Sequence, residues 1–436
     1  MGLGLLGRGL GDAIFLAEHG AELIVTDIRD EKTLAPSLAK LRKFKNIHYT
    51  LGQHKLEDFR NRDFILKAAG VPLDSPYIAE ARKNGIPIEM DASLFAKLAP
   101  EGITFIGITG TRGKTTTTFL IYEILKRAYG AERVYIGGNV KDTATLPLLY
   151  KVKKGDYVVL ELDSWQLQGF AEAKTSPHIA VFTTFYDDHL NYYKGDREQY
   201  FSDKAAIFAN QKTGDYLIAG KQVAEIIKNK KMATPEKFIV TKANDVPKGL
   251  KPKILGRHNL ENIACALKVA EILKVDQSIA KKVINKFEAI PGRLQFIKNV
   301  NGVDVYNDTN ATTPDATIAA LRALGKNKNI ILIMGGTDKV MGRHNTLVDE
   351  IPKYCKVVVL LQEKGSEKIK LKLEARAKDI LQIKEVDGLQ SCVMEAIKLA
   401  QKGDIILFSP AFASFGKWFK NEYDRGEQFL KIVESL

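Results

Sequence analysis

A glycine-rich segment followed by a lysine and a threonine is the part of this sequence best suited to bind phosphate. It reads Thr109-Gly110-Thr111-Arg112-Gly113-Lys114-Thr115. The glycines let backbone N–H groups turn towards an anion, the lysine adds a positive charge, and the threonine hydroxyl is a ligand for Mg²⁺. The strict phosphate-loop pattern has a glycine where Ile108 stands, so this is a variant loop. We predict a nucleoside triphosphate site here, against the alternative of a glycine-containing turn without a ligand.

The start of the sequence carries a second glycine pattern, Gly2-Leu3-Gly4-Leu5-Leu6-Gly7. It spells G-x-G-x-x-G, and Asp27 follows twenty residues later, the spacing of an acidic group that binds ribose hydroxyls. A nicotinamide-dependent dehydrogenase is one interpretation, but it leaves the phosphate loop unexplained. The pattern normally follows a strand, and none fits before Gly2. We therefore expect that the N-terminal sheet lacks its first strand or that the natural chain begins upstream.

Ionisable and amide side chains recur at intervals along the rest of the chain. Taken singly, each has an ordinary explanation: a carboxylate after a strand is usually on the surface, a lone histidine is usually a satisfied polar residue, and a helical lysine is usually solvated. The functional alternative is that they bind metal and phosphate. The set comprises Glu161, Asp187-Asp188-His189, Tyr200-x-x-x-Lys204, Gly256-Arg257-His258-Asn259-x-x-Asn262, Arg293 and Asn307-Asp308-Thr309.

The elements that must position these residues follow an alternating strand and helix pattern, which indicates parallel α/β sheets. Short apolar runs predict the strands, and an amphipathic stretch predicts a helix over 115–128, directly behind the phosphate loop. The predicted strands cover 22–27, 103–108, 157–162, 178–183, 216–219, 303–307, 330–334, 357–361 and 405–409.

The length of 436 residues indicates about three domains. Turn-rich sequences around Pro100 and Pro291 mark the two boundaries. We predict an N-terminal domain over 1–98, a central domain that carries the phosphate loop over 99–292, and a C-terminal domain over 293–436.

The chain carries 65 basic and 52 acidic residues, a net charge of +13. A phosphate-loop ATPase that acts on nucleic acid is therefore an alternative function. However, the lysines are scattered and no arginine-rich tract alternates with aromatics, which favours an enzyme that binds polyphosphates. Charge-free stretches are too short for a membrane-spanning helix. Three widely spaced cysteines, Cys265, Cys355 and Cys392, fit a reducing cytoplasm. We expect a cytoplasmic monomer without nucleic-acid or membrane partners.

The phosphate loop and the ionisable set, taken in order, resemble the Mur ligase family, the ATP-dependent amide-bond-forming enzymes of peptidoglycan synthesis. The resemblance covers nearly the whole chain. It implies an N-terminal Rossmann-like domain for a uridine nucleotide, a central P-loop ATPase-like domain with a mostly parallel sheet, and a C-terminal Rossmann-like α/β domain. The segments that resemble the D-glutamate-adding branch are GLGLLG with Thr26-Asp27-Ile28-Arg29, Gly335-Gly336-Thr337-Asp338-Lys339, and Ser409-Pro410-Ala411-Phe412-Ala413-Ser414 with Phe419-Lys420-Asn421 and Arg425-Gly426.

The resemblance implies that ATP converts the carboxylate of UDP-N-acetylmuramoyl-L-alanine into an acyl phosphate, which D-glutamate then attacks. The implied catalytic residues are Lys114, His189 and Lys204, the last as a carbamate. The implied ligands of one Mg²⁺ ion are Thr115 and Glu161, and those of a second Mg²⁺ ion are His189 and Lys204. The implied ATP contacts are Gly110, Thr111, Arg112, Gly113, Lys114, Thr115, Thr116, Asn259, Asn262, Arg293 and Asp308. The implied substrate contacts are Leu5, Leu6, Asp27, Ile28, Arg29, Asn139, Gln166, Lys339, Ser414 and Tyr423.

Five residues depart from the family pattern. Asp163 stands in place of a small hydroxyl residue, Thr184 in place of an asparagine, and Gly292 in place of a histidine. Asn310 replaces a lysine, and Pro314 is unusual for the D-glutamate branch. Because these last two lie near the amino-acid site, a sister ligase that adds another amino acid, or one that acts in folate polyglutamylation, stays an alternative.

Overall fold

The computed structural model of the chain describes residues 1–5, 7–141, 143–337, 344–377, 379–414 and 416–436. Two predicted site residues, Leu6 and Lys339, lie outside the described residues. The chain forms two compact units, one of Met1–Asp245 with Ile263–Val283 and the other of Val246–Asn262 with Ile284–Leu436. The domain boundaries expected at 98/99 and 292/293 stay predictions.

The N-terminal part of the first unit contains two short pairs of parallel strands, β1 with β2 and β3 with β4. Met1 and Gly2 hydrogen-bond to both pairs: Gly2 N donates to Thr26 O of β1 (2.7 Å), and Met1 N donates to Leu66 O of β3 (2.9 Å). In the described residues, no strand precedes the glycine-rich turn. The elements are α1 (Arg8–Glu18), β1 (Leu23–Asp27), α2 (Glu31–Leu41), β2 (Ile47–Leu51), β3 (Ile65–Leu66), α3 (Pro76–Lys83), β4 (Ile88–Glu89) and α4 (Asp91–Leu98).

A six-stranded parallel sheet of order β10-β9-β8-β5-β7-β6 forms the rest of this unit. Its inner strands are almost wholly buried, as expected where helices cover both faces of a parallel sheet. The elements are β5 (Thr104–Thr109), α5 (Lys114–Tyr129), β6 (Val134–Gly138), β7 (Tyr157–Glu161), α6 (Ser164–Glu172), β8 (Ile179–Phe182), α7 (Arg197–Ala209), β9 (Tyr216–Gly220), α8 (Lys221–Asn229) and β10 (Lys237–Thr241). Helices α9 (Arg257–Ile272) and α10 (Gln277–Lys286) follow along the chain.

The second unit is built on a six-stranded sheet of order β11-β12-β16-β13-β14-β15, in which β11 runs antiparallel to β12 and the other described pairs are parallel. The elements are β11 (Gln295–Val300), β12 (Val303–Asn307), α11 (Pro314–Leu324), β13 (Ile330–Met334), α12 (His344–Tyr354), β14 (Cys355–Leu361), α13 (Lys364–Ala377), β15 (Gln382–Val386), α14 (Leu389–Leu399), β16 (Ile405–Phe408) and α15 (Glu422–Glu434). None of the helices described in the chain is both long and apolar enough to cross a lipid bilayer.

The structure confirms the α/β class and every strand that the sequence predicted, with ends shifted by up to two residues. The predicted helix over 115–128 is α5. The strands that the sequence missed are short, glycine-containing or polar. For example, β15 is a sheet edge in which a lysine and a glutamate interrupt the apolar residues, so it shows no continuous apolar run.

A fully buried arginine joins the loops that follow β12 and β16. The Arg425 guanidinium donates from Nη2 to Thr309 O (2.7 Å), from Nε to Thr309 Oγ1 (3.1 Å) and from Nη1 to Phe412 O (3.2 Å). Burial lowers the pKa of Arg425 to about 10, so it stays charged at neutral pH. Arg425 therefore helps to hold the segment that is predicted to bind an amino acid.

Replacing Arg425 should loosen this unit. Arg425→Met leaves the carbonyls of Thr309 and Phe412 without their donors, and we expect the free energy of unfolding to fall by about 2–5 kcal/mol. Hydrogen exchange of the β12 amides measures this free energy of unfolding. The exposed, ion-paired Arg376 is the matched control, because Arg376→Met should change this free energy by only about 0.5 kcal/mol. Equal effects of the two substitutions would contradict the assignment.

Candidate functional site

The phosphate loop connects β5 to α5 at the carboxyl end of the central sheet, where parallel sheets usually bind ligands. Gly110 has φ 146°, and Gly113 has φ 89° and caps α5. A Cβ atom on Gly110 would collide with Thr183 Oγ1. Glycine is therefore required at these two positions by the left-handed backbone, and at Gly110 also by the close approach of β8.

The carbonyl groups of this loop accept hydrogen bonds from outside the loop and from its own lysine. Thr109 O accepts from Thr183 N (2.9 Å), and Arg112 O accepts from Thr183 Oγ1 (2.5 Å) and Thr184 Oγ1 (3.0 Å). Gly110 O accepts from Lys114 Nζ (2.9 Å) and Lys204 Nζ (3.1 Å). With the carbonyls bonded in this way, the loop is pre-shaped for an anion.

The sequence did not predict a role for Thr184. Its hydroxyl accepts from Arg112 N (2.9 Å), and its backbone oxygen accepts from Thr111 N (2.7 Å), so it braces the loop at two points. The only signal in the sequence was that a threonine stands here in place of an asparagine. The Thr184 hydroxyl both accepts from and donates to the backbone of Arg112, which explains why a threonine suits this position.

Lys204 lies on α7 and is 2% exposed. Burial, and then the positive charge of Lys114, hold the pKa of Lys204 well below its ordinary value. The alternative of a solvated lysine paired with Asp203 or Glu198 is wrong. Asp203 accepts from Gln168 (2.7 Å) and Tyr193 (2.9 Å), and Glu198 pairs with Lys230.

Glu161 ends β7 beside the loop and is 3% exposed. Its Oε1 accepts from Asn139 Nδ2 (3.3 Å), whereas its Oε2 is buried without a hydrogen-bond partner among the described residues. The neighbouring strand comes so close that a Cβ atom on Gly138 would collide with Glu161 O. A surface carboxylate, the ordinary explanation of Glu161, is therefore excluded.

His189 follows β8 and has φ 54°, a left-handed conformation that is uncommon for a residue with a side chain. Its ring centroid lies 4.8 Å from that of Trp165, and Nε2 lies 3.8 Å from Asp188 Oδ2. Asp188, which belongs to the predicted set but was given no role of its own, also pairs with Arg112 Nη2 of the loop (3.3 Å). The imidazole is thus held between an indole and a carboxylate.

The residues present suit a hard divalent cation whose coordination shell is completed by the phosphates of a nucleotide. Glu161 offers a buried oxygen that has no hydrogen-bond partner within the described part of the chain, and Thr115, at the end of the loop, is the second residue of α5. The described residues contain no cluster of three or more His, Cys, Asp or Glu side chains that could hold a metal alone. Mg²⁺ characteristically takes one or two protein carboxylates together with substrate phosphates.

The predicted uridine-nucleotide residues surround a buried carboxylate. Asp27 is 1% exposed and accepts from Gly4 N (2.9 Å) and Arg29 N (2.9 Å), which joins the glycine-rich turn to the end of β1. Leu5 and Ile28 are exposed, although they are apolar. Leu5 lies in the glycine-rich turn and Ile28 directly after β1, so both segments that Asp27 joins present an exposed apolar side chain to a planar ligand.

The predicted muramoyl contacts are engaged by protein groups. Gln166 Nε2 is 3.4 Å from Asp91 Oδ1, and Gln166 N donates to Asp163 Oδ1 (2.7 Å). Asp163 therefore caps α6, which explains the carboxylate where a hydroxyl residue is usual. Asp91 also accepts from Thr145 Oγ1 (3.1 Å). Asp91 and Thr145 were not predicted, because their partners are distant in sequence.

In the second unit, Asp308 accepts from Leu294 N (2.9 Å) and from Ser409 Oγ (2.9 Å). Arg293 follows Gly292, whose φ of 73° gives a backbone reason for glycine in place of histidine. Asn262 Nδ2 donates to Asn259 Oδ1 (3.0 Å) on the first turns of α9.

Ser414 is 3% exposed, and its hydroxyl has no partner among the described residues. Thr337 N donates to Ala413 O (3.0 Å), so Thr337 lies beside the residue that precedes Ser414. Tyr423 lies in the first turn of α15.

Asn310 and Pro314, the two departures from the family pattern near the predicted amino-acid site, both have local structural roles. Asn310 Nδ2 donates to Pro291 O (3.2 Å), and Pro314 begins α11.

Three family models match the chain. They are the Mur ligase MurD-like N-terminal domain at 1–89, the Mur ligase middle domain at 108–248, and the Mur ligase glutamate ligase domain at 292–412.

Similar proteins carry consistent names. UDP-N-acetylmuramoylalanine–D-glutamate ligase of Borreliella afzelii is 34% identical and covers 100% of this chain and 97% of its own length. The ligase of the same name from Roseiflexus sp. is 34% identical, with 100% and 98% covered.

Two solved structures share the fold. UDP-N-acetylmuramate–alanine ligase from Thermotoga maritima has a TM-score of 0.62 at 19% identity and covers 100% of this chain and 98% of its own. MurF ligase from Thermotoga maritima, in complex with ADP, has a TM-score of 0.58 at 21% identity, with 87% and 98% covered. Because three family domains occur in order and relatives are matched over nearly their full length, the chain belongs to the Mur ligase family.

Proposed function

We propose that this protein is the ATP-dependent ligase that adds D-glutamate to UDP-N-acetylmuramoyl-L-alanine in peptidoglycan precursor synthesis. The observation that carries the proposal is the braced phosphate loop with Glu161, His189 and Lys204 around it. The full-length relatives named for this activity support the choice of amino acid. The ADP-bound family structure supports ATP as the phosphoryl donor.

A carboxylate is a poor acyl donor, so the reaction must first activate it. The loop positions the γ-phosphoryl group of ATP, which the alanyl carboxylate attacks to give an acyl phosphate and ADP. Lys114 neutralises charge on the transferring group. The amine of D-glutamate then attacks the acyl carbon, loses a proton and expels inorganic phosphate, which leaves the new amide.

Thr115 and Glu161 would hold one Mg²⁺ ion, and His189 with carbamylated Lys204 would hold a second. The ions would supply positive charge opposite the phosphate oxygens. The protein prepares these positions: Asn139 occupies one oxygen of Glu161, Trp165 packs against His189, and burial of Lys204 favours the neutral amine that carbon dioxide requires.

D-Glutamate has two carboxylates and therefore needs a cation and several hydrogen-bond donors. The buried hydroxyl of Ser414 is available as one donor. Lys339 would be the cation, and Tyr423 would pack beside the amino acid. Since Asn310 and Pro314 have structural roles, they do not favour a different amino acid.

Phosphate release tests the function directly. Purified protein with ATP and UDP-N-acetylmuramoyl-L-alanine should release phosphate when D-glutamate is added, and L-alanine or a diamino acid should not replace it. Release with a different amino acid would assign a sister ligase. Hydrolysis stimulated by nucleic acid would assign the phosphate-loop ATPase that acts on nucleic acid, and NAD binding would favour the dehydrogenase.

Lys114→Ala should remove ATP-dependent turnover. Electrostatic groups of this kind typically contribute on the order of 10²-fold or more to kcat. Lys126→Ala, at the far end of the same helix and paired with Glu123, is the matched control. Steady-state kinetics and thermal unfolding measure the two variants. Near-normal turnover in the Lys114 variant would refute the role of the loop.

Lys204→Ala should be nearly inactive, and acetate should restore part of the activity. The carbamate would supply an anionic oxygen, the hard ligand that Mg²⁺ prefers, and acetate can occupy the space that alanine leaves. Lys204→Arg should not respond, because its guanidinium fills that space with positive charge. The two variants are compared in an acetate titration. Equal responses, or full activity of the alanine variant, would count against the carbamate.

Lys339→Ala should raise the KM for D-glutamate by about 10- to 150-fold, since a charge-assisted hydrogen bond contributes about 1.5–3 kcal/mol. The KM for ATP should stay nearly constant. Initial rates with each substrate varied in turn measure both constants. If both KM values rose equally, the lysine would act on the whole catalytic assembly instead.

A further inference from the structure

Arg8 has no role in the function proposed so far, yet it contacts the catalytic region of the first unit. It is the first residue of α1, directly after the glycine-rich turn. Its Nη1 donates to Asn139 Oδ1 at 2.8 Å, across a sequence separation of 131 residues. Asn139 in turn lies against Glu161.

The polarity of these two hydrogen bonds permits one orientation of the Asn139 amide. A guanidinium can only donate, so the amide oxygen must face Arg8. The amide nitrogen then faces Glu161 Oε1 at 3.3 Å, where an ionised carboxylate can only accept. A backbone bond from Asn139 N to Glu161 O (2.7 Å) fixes the distance between the residues.

This orientation gives the two carboxylate oxygens of Glu161 different environments. Oε1 is occupied by the amide, whereas Oε2 is buried and has no protein partner among the described residues. If the amide turned over, its oxygen would face Oε1, and two acceptors would repel each other. The carboxylate would then lose the support that keeps Oε2 available.

A simpler explanation is that Arg8 serves as a counter-ion for the buried carboxyl groups of Asp12 and Asp91. Burial raises the pKa of both groups, and the charge of Arg8 opposes this only as a lesser contribution. The hydrogen bond described for the guanidinium goes to the neutral amide of Asn139. Neutralisation of Asp12 and Asp91 therefore does not explain where the guanidinium is placed.

We propose that Arg8 is a positioning residue that orients the Asn139 amide and thereby leaves one oxygen of Glu161 for the divalent cation. The inference rests on the proposed function, in which Glu161 holds Mg²⁺. It also connects α1, which begins at the predicted nucleotide-sugar turn, to the cation site. Partners behind a metal ligand typically contribute about 10- to 100-fold to metal affinity.

Binding of Mn²⁺ tests this without turnover. The free ion is measured by electron paramagnetic resonance in the presence of the full chain and a non-hydrolysable ATP analogue. The Kd for Mn²⁺ should rise by about 10- to 100-fold in Arg8→Met. Arg8→Lys keeps a donor and should stay closer to the unchanged protein. Arg42→Met, an exposed arginine at the end of α2, is the matched control and should have no effect.

Arg8→Glu distinguishes an effect of amide orientation on cation binding from an effect of the charge of Arg8 alone. Coulomb attraction alone predicts tighter cation binding when a negative charge replaces a positive one. The proposal predicts weaker binding, because the introduced carboxylate would accept from the Asn139 amide nitrogen and turn the amide oxygen towards Glu161. Tighter binding in this variant, or an unchanged Kd in Arg8→Met, would overturn the proposal.

A double-mutant cycle with Asn139→Ala tests the route, and thermal unfolding of each variant shows that it is folded. Once the amide is absent, Arg8→Met should add nothing to the loss. Additive losses would overturn a route through Asn139, even if Arg8 mattered. If the unchanged protein bound no Mn²⁺ with the analogue, the cation site of the proposed function would be wrong. If the unchanged protein bound Mn²⁺ and Arg8→Met bound it equally well, only the role of Arg8 would be wrong.

Discussion

The phosphate loop can present its N–H groups to an anion only if its carbonyl groups are satisfied elsewhere. An unpaired buried carbonyl costs about 1–3 kcal/mol, so several of them would collapse the loop. Thr183 and Thr184 at the end of β8 and the lysines on α5 and α7 supply the donors. The loop therefore depends on the parallel pairing of β5 with β8 and on a helix that is distant in the sequence.

The same sheet explains why the other catalytic groups lie nearby. Parallel strands end at one edge, and β7 pairs with both β5 and β6, so Glu161 and Asn139 follow neighbouring strands. The close approach at Gly138 brings the Asn139 backbone onto Glu161. Arg8 reaches this edge from α1, which gives the N-terminal part of the unit a direct hydrogen-bonded connection to the proposed cation site.

The second unit also satisfies loop carbonyls with a buried charged side chain. Arg425 satisfies carbonyls of the loops after β12 and β16, and Asp308 is fixed by Ser409. Rigid loops of this kind suit a small polar substrate, because little conformational entropy remains to be lost on binding. Ser414 alone among the predicted amino-acid contacts in the described residues shows a buried hydroxyl without a partner, which fits a group reserved for a ligand.

The sequence by itself determined the α/β class, the buried strands and the phosphate loop, since these depend on local apolar runs and on glycines within a few residues of one another. It also indicated Glu161, His189 and Lys204, although only their order along the chain and the family resemblance separated them from ordinary surface residues. Tertiary structure decided which of their atoms are available: Lys204 is buried against Gly110, and Glu161 keeps one buried oxygen without a partner among the described residues. It also revealed Thr184 and Arg8. Their contacts join residues 72 and 131 positions apart, and such pairing arises only when strands and helices pack, which no local pattern encodes.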